Sequence, residues 1–283
     1  MTLATGVEVM DAHLHVWDLS VCRYPWLTPE LGELYATYPP ELAGEQLAAS
    51  GITAAVLVQA EDSLAETDYL LSVANRHPWV VGVVGWLPLA EPDRAQAAME
   101  QRAADPRFRG VRHLVHDDPR ADFLDLPAVR RSLRRVSAAG FPLDVPDAWP
   151  RHLAQAGRVA RDVPELIVVI DHLAKPPLGR PDEAAWREEL ARVGRCPNVV
   201  AKLSGLHLPG VPYTVQALRP AWEVALEVFG PGRLMFGSDW PISVPHGGYE
   251  PTFEVLAALV GELSPAEQAL VMSGTARSVY GLG

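Results

Sequence analysis

Ala54-Ala55-Val56-Leu57-Val58 is an unbroken apolar run with no polar position to turn toward water. A strand with one wet face alternates apolar and polar side chains, whereas a strand covered on both faces does not. Val80-Val81-Gly82-Val83-Val84 and Ile167-Val168-Val169-Ile170 repeat the pattern. These stretches predict a parallel sheet covered by helices.

Working outward, eight short apolar runs recur: Val7–Met10, Thr53–Gln59, Val80–Trp86, Phe108–Val115, Phe141–Val145, Leu166–Asp171, Asn198–Leu203 and Leu234–Ser238. Amphipathic stretches mostly separate them. Pro127 to Ala139 sets arginines against Val129, Leu133 and Val136, with Pro127 suited to a first helical turn and Gly140 to a stop. Ser264-Pro265-Ala266-Glu267 fits a capping box. Strand then helix, eight times, is the signature of a (β/α)8 TIM barrel, an α/β fold. The alternative, a doubly wound open sheet, has little support, because no GxGxxG loop follows the first run.

The chain of 283 residues is expected to form one barrel domain over 1–283, and 48% apolar residues supply an ample core. A net charge of −11 argues against a nucleic-acid partner. Cys22 and Cys196 form neither a disulfide framework nor a CxxC motif, which fits a reducing cytoplasm. Residues 1–6 lack the basic start and apolar core of a signal peptide, and no apolar stretch reaches membrane-spanning length. The expectation is a cytoplasmic protein with a small-molecule partner and no membrane; the oligomeric state is not legible.

Barrel enzymes carry their sites at the C-terminal ends of the strands. Asp11-Ala12-His13-Leu14-His15 follows the first run, and residues two apart on a strand share a face, so His13 and His15 project together. Such a pair can hold a divalent metal or bracket a substrate, though strand-end histidines also occur as plain polar residues. Arg112, His113 and His116 belong to the fourth run, Asp144 and Asp147 to the fifth, Asp171, His172 and Lys175 to the sixth, Lys202 and Ser204 to the seventh, Asp239 and Trp240 to the eighth. Runs two and three end in Gln59 and Trp86. This exceeds the polarity expected where strands meet water.

At His13-x-His15, Asp171-His172-Leu173-Ala174-Lys175-Pro176 and Gly237-Ser238-Asp239-Trp240-Pro241 the chain resembles the amidohydrolase superfamily, in its amidohydrolase-related branch of sugar-lactone hydrolases, the L-fuconolactonase and L-rhamnono-lactonase type. Arg23-Tyr24-Pro25-Trp26-Leu27, Leu64-Ala65-Glu66-Thr67-Asp68-Tyr69, Phe108-Arg109-Gly110-Val111-Arg112-His113 and Lys202-Leu203-Ser204-Gly205-Leu206 agree, so the likeness spans the chain. The resemblance implies a (β/α)8 hydrolase with His13, His15, His172 and Asp239 as its reactive centre. Metal-binding relatives usually add a histidine after strand five or a bridging lysine after strand four. This chain has neither: Phe141-Pro142-Leu143-Asp144-Val145 is followed by no histidine before His152, and the fourth run offers Arg112 and His113. A two-metal site is therefore not expected. What stays open is one divalent metal, zinc first, on His13, His15 and Asp239 with His172 as an optional fourth ligand, or a metal-free site.

Opening a lactone needs a general base for water, a donor to the carbonyl oxygen and a proton for the departing ring oxygen. Asp239 is the expected base, with His172 as its catalytic partner, and imidazoles or a metal would face the oxyanion. Arg112, Lys175, His113, Trp26 and Trp240 are expected at the substrate. Arg112 has an equal claim to an ion pair with an acid such as Asp144. The aromatics have an equal claim to capping the barrel mouth. Lys202, inside an apolar run, is either a buried ion-pair partner or a site residue. His77 and His152 read as surface residues, and His207 and His246 as loop residues. The competing functions are another reaction of the superfamily, C–N hydrolysis or decarboxylation, and a non-catalytic metabolite-binding barrel.

Overall fold

The computed structural model describes residues 2–283. Eight parallel strands pair in sequence order: β1 Met10–Leu14, β2 Ala54–Val58, β3 Val80–Gly85, β4 Phe108–Arg112, β5 Leu143–Val145, β6 Val168–Ile170, β7 Val199–Leu203 and β8 Leu234–Phe236. The ring closes where Leu14 bridges Trp240 in parallel, with the Asp239 N–H on the His13 carbonyl at 2.8 Å and the His15 N–H on the Trp240 carbonyl at 2.8 Å. Helices follow the strands: α1 Pro40–Ala49, α2 Leu64–Ala74, α3 Pro92–Ala103, α4 Pro127–Ala138, α5 Leu153–Asp162, α6 Glu183–Gly194, α7 Val215–Phe229 and α8 Tyr249–Val260. The short helices α9 Pro265–Ala269 and α10 Thr275–Tyr280 end the chain.

The scattered prolines have a local purpose. Helices α1, α3, α4 and α9 each begin on one, where the missing N–H costs nothing. The capping box of Ser264 and Glu267 forms at the start of α9.

One apolar set, including Met10, Ala12, Val56, Val58, Val169, Val200 and Met235, packs with Tyr280 and Leu282 and fills the barrel's interior. A larger set, including Leu14, Leu57, Val83, Val111 and Trp186, packs the outer faces of the strands under the helices. Alternation along each strand sorts residues between the two, as in Ala54-Val56-Val58 inward and Ala55-Leu57 outward.

The first strand differs from its sequence reading. It begins at Met10, where the apolar run Val7–Met10 was expected to end. The reason is Asp11, a fully buried carboxylate that accepts the N–H groups of His13 and Ser238, both at 3.0 Å, and the Tyr249 hydroxyl at 2.9 Å. A buried acid inside a strand looks like a strand end. The β1–β2 register slips by one residue between Asp11 and Leu14, and this bulge turns His13 and His15 into the barrel after Met10 and Ala12. His152, read as a surface residue, is fully buried just ahead of α5.

Candidate active site

Near the C-terminal mouth the apolar interior gives way to a layer of four charged side chains. Arg112, Asp144, Asp171 and Lys202 are each at most 4% exposed, two cations against two anions. Lys202 Nζ lies 2.5 Å from Asp144 Oδ2 and 3.1 Å from Asp171 Oδ1. Arg112 Nε meets Asp171 Oδ2 at 2.9 Å and its Nη1 donates to the Gln59 carbonyl at 2.7 Å. The Arg112 ion pair thus runs to Asp171, not Asp144. Tyr280, from the C-terminal helix α10, closes the layer from below with its hydroxyl on Asp144 Oδ2 at 2.8 Å. Burial pushes Asp144 up to about 6 against the pull of Lys202. Asp171 is held well below the usual range, because Lys202, His13 and Arg112 outweigh its burial.

Directly above this layer, three imidazoles and a carboxylate converge. His13 Nε2 and His15 Nε2 are 3.1 Å apart. Asp239 Oδ1 lies 3.3 Å from His15 Nε2, 3.6 Å from His13 Nε2 and 3.9 Å from His172 Nε2. His15 is oriented by the Val58 carbonyl, 2.8 Å from its Nδ1, and His172 by Ser204 Oγ, 2.9 Å from its Nδ1. Burial drives His13 well down and His172 down to about 4, so both rings are neutral near neutrality. Burial works to raise Asp239, but His172, Lys175 and His13 hold it well below the usual range, so it is ionised.

The backbone is bent to deliver these groups. After β6, His172, Leu173, Ala174 and Lys175 have φ of 57°, 50°, 64° and 59°. A left-handed residue other than glycine costs roughly 1–2 kcal/mol, so this turn is strain concentrated at the site. Asp239 (φ 55°) and Asp147 (φ 43°) share the trait. Gly205 (φ 56°) leaves the space they need: a Cβ there would stand 2.4 Å from His172 Nδ1 and 2.6 Å from Asp239 Oδ2.

The cluster opens into a cleft of about 170 Å³ lined by His15, His172, Asp239, Arg112, Lys175 and Trp26, and also by His116, Asp117, Asp147 and Ile242. Trp26 is braced by its Nε1 on the Ala60 carbonyl at 2.7 Å. Lys175 Nζ donates to the Gly205 carbonyl at 2.8 Å and faces Asp147 at 3.9 Å.

Two expected substrate contacts lie elsewhere. His113 stacks on Phe123 at 3.9 Å, with Asp62 3.1 Å from one nitrogen and Asp118 3.1 Å from the other. It follows Arg112 directly, and neighbours along a strand face opposite ways. Trp240, next to Asp239, is 2% exposed and packs edge-on against Tyr38. The same alternation was a usable signal in the sequence for His113; Asp239 and Trp240 lie beyond β8, where the chain turns at Asp239 (φ 55°) and strand alternation does not apply. Asp117 went unremarked there, and His116 and Asp147 went unassigned; they stand on loops whose path only the tertiary fold defines.

Three ligand-type atoms, His13 Nε2, His15 Nε2 and Asp239 Oδ1, fit one divalent ion. Zinc–ligand bonds of about 2.0–2.2 Å in tetrahedral array separate neighbouring ligand atoms by about 3.3–3.6 Å, close to the 3.1, 3.3 and 3.6 Å found. The residues are of the right kind as well, two imidazoles and a carboxylate, each buried. Among the described residues no helix is long and apolar enough to cross a membrane.

The chain is similar to known proteins over most of its length. An L-fucono-1,5-lactonase of Burkholderia ambifaria is 35% identical over 235 residues, covering 83% of this chain and 80% of its own. An L-fucono-1,5-lactonase of Burkholderia multivorans is 31% identical over 291 residues, covering 98% and 97%. The crystal structure of an amidohydrolase from Burkholderia multivorans with bound zinc superposes with a TM-score of 0.86 at 29% identity, covering 98% of this chain and 100% of that one. A family model described as amidohydrolase matches residues 10–282, from the first residue of β1 to the end of the barrel, and the chain belongs to the amidohydrolase family.

Proposed function

We propose that this protein is a hydrolase that opens sugar-derived lactones, adding water to the ring ester to release an aldonic acid. The observation that carries the reading is the ionised Asp239 carboxylate with three imidazole Nε2 atoms within 3.9 Å, at the closed end of a cleft. The two lactonase relatives, similar over most of the chain, support it. The cleft volume, about 170 Å³, lies below the ~300–1,000 Å³ of sites for drug-sized ligands and suits one sugar ring.

Asp239 takes a proton from water as the water oxygen bonds to the lactone carbonyl carbon. The carbonyl oxygen gains negative charge and is met by the imidazoles of the cluster. The ring C–O bond then breaks, and the proton held on Asp239 passes to the departing alkoxide. Lys175, Arg112, Asp147 and His116 line the cleft where ring hydroxyls would lie, and Trp26 offers an apolar wall. His13, His15 and Asp239 would hold one divalent ion, zinc by analogy with the related crystal structure. Bound there, such an ion would supply a Lewis acid for the carbonyl oxygen and lower the pKa of water. The free thiols Cys22 and Cys196 support a reducing compartment, the cytoplasm.

C–N hydrolysis and decarboxylation are less favoured. No histidine follows β5 before His152, and the carboxylate that β5 does carry, Asp144, is committed to Lys202 and Tyr280. A non-catalytic barrel would have no use for strained backbone at His172 and Asp239.

A screen of aldonolactones with a pH indicator tests the reading, since ring opening releases acid. On a turned-over lactone, Asp239→Asn is expected to lower kcat by about 10²–10⁴-fold, the span of general-base catalysis, with an unchanged circular dichroism spectrum. Retained turnover in the variant removes Asp239 from the chemistry, and no turnover of any aldonolactone by the wild type removes the substrate class.

A further inference from the structure

We propose that Lys202 is a positioning residue that keeps the proton of His13 on Nε2, making His13 a hydrogen-bond donor toward the cleft and opposing metal loading at His13, His15 and Asp239. The inference rests on the reading of that triad as a metal-competent site.

The argument is one of donors and acceptors. An ammonium only donates, and a backbone carbonyl only accepts. The Val58 carbonyl at 2.8 Å therefore places the proton of His15 on Nδ1 and turns its Nε2 lone pair to the centre. Lys202 Nζ hydrogen-bonds Asp144 Oδ2 at 2.5 Å and His13 Nδ1 at 3.1 Å. Nδ1 of His13 is thus an acceptor, and the ring's proton sits on Nε2, 3.1 Å from the waiting lone pair of His15. Asp239 Oδ1, 3.3 Å from His15 Nε2 and 3.6 Å from His13 Nε2, is a second acceptor beside the same proton, and Nε2–H of His13 is the donor this cluster turns toward a lactone oxyanion.

A metal ion demands the opposite arrangement, with a lone pair from each Nε2. The proton of His13 would then move to Nδ1 and face the ammonium of Lys202 at 3.1 Å, donor against donor. Its alternative acceptor, Asp171 Oδ1, is 3.4 Å away and makes no hydrogen bond in the arrangement present. Lys202 is itself fully buried and clasped by Asp144 and Asp171, so it has little room to withdraw. The barrel interior thereby favours the metal-free hydrogen-bond chain over the metal-loaded one.

Zinc affinity, measured by competition with a chromophoric chelator, is the first test. Lys202→Met is expected to bind zinc at least about tenfold tighter than the wild type, one pKa-sized step of coupling. Lys202→Met combined with Asp144→Asn removes one charge of each sign, so a gain kept in the double variant reports the lost hydrogen bond rather than net charge, and it also serves if the single variant does not fold. The second test is the ¹⁵N spectrum of histidine-labelled, metal-free wild type, with His13 assigned by His13→Gln; its protonated nitrogen is expected to be Nε2. Unchanged or weaker zinc affinity in the folded double variant overturns the proposal, as does a proton on Nδ1 in the wild type. Neither measurement uses a lactone, so the proposed activity stands or falls separately.

Discussion

Gly205 shows how little room the clustered side chains have. Its missing side chain is what lets His172 and Asp239 approach, since a Cβ would come within 2.4 Å of the one and 2.6 Å of the other. Its φ of 56° adds a backbone reason for glycine. Gly205→Ala is expected to destabilise the fold by about 2–5 kcal/mol, the ~1–2 of a left-handed alanine with the ~1–3 of overpacking a buried site. Turnover should fall by about 10²-fold or more, because a displacement near 1 Å at reacting groups costs that much. Kinetics alongside urea denaturation check the split; full activity in the variant would show that the two side chains need not hold their present places. The sequence revealed His13, His15, His172 and Asp239 because each follows or sits within an apolar run with a fixed direction. It did not reveal that Arg112 and His113 part company, although alternation along a strand implies it, nor that Asp239 and Trp240 do, because they follow β8 at a left-handed turn that no local period announces. Lys202 was left open between ion pair and site because a single strand does not show what lies across a barrel; it reaches Asp144 on β5 and His13 on β1.

At the scale of elements, the loops over the barrel mouth are tied by ring stacking. His207, after β7, stacks on Tyr213 at 4.0 Å and on His246, after β8, at 4.9 Å. Burial first, then His246, pushes His207 down to about 4. In the unfolded chain the ring titrates near 6.5, so between about 6.5 and 4 the unfolded chain binds a proton that the folded one refuses. His207 therefore makes stability fall as pH drops through that window and has no effect above it. With partial solvent screening, the loss is about 2 kcal/mol. His207→Phe keeps the stack without the titration. The difference in unfolding free energy between pH 7 and pH 4.5 should shrink by about that amount in the variant, as read from urea midpoints, and an unchanged difference would assign the acid sensitivity elsewhere. Strands and helices were legible because period and punctuation are local. The reach of these loops was not, since it depends on partners far along the chain.

For the whole molecule the decisive event is closure of the ring, because the candidate cluster takes His13 from β1 and Asp239 from the loop after β8. Asp11 sits at that seam. Its Oδ1 accepts N–H groups from both sides, His13 and Ser238 at 3.0 Å each, and its Oδ2 accepts the Tyr249 hydroxyl from α8 at 2.9 Å. Burial pushes its pKa up, against these hydrogen bonds. Removing the carboxyl strands two buried N–H groups, each costing about 1–3 kcal/mol unsatisfied. Asp11→Ala should therefore lose about 3–5 kcal/mol and, with the seam loosened, lactone turnover. Asp11→Asn keeps an oxygen for both N–H groups, and its amide can donate to the Tyr249 hydroxyl, which rotates to accept. The folded-state proton affinity of Asp11 exceeds its unfolded value, so the acid's contribution declines as pH rises through its folded pKa. Asparagine has no such decline, and its cost relative to the wild type should shrink as pH rises. Equal losses in the alanine and asparagine variants, measured by urea unfolding at two pH values, would show that closure depends on the packed strands alone and not on this carboxyl bridge.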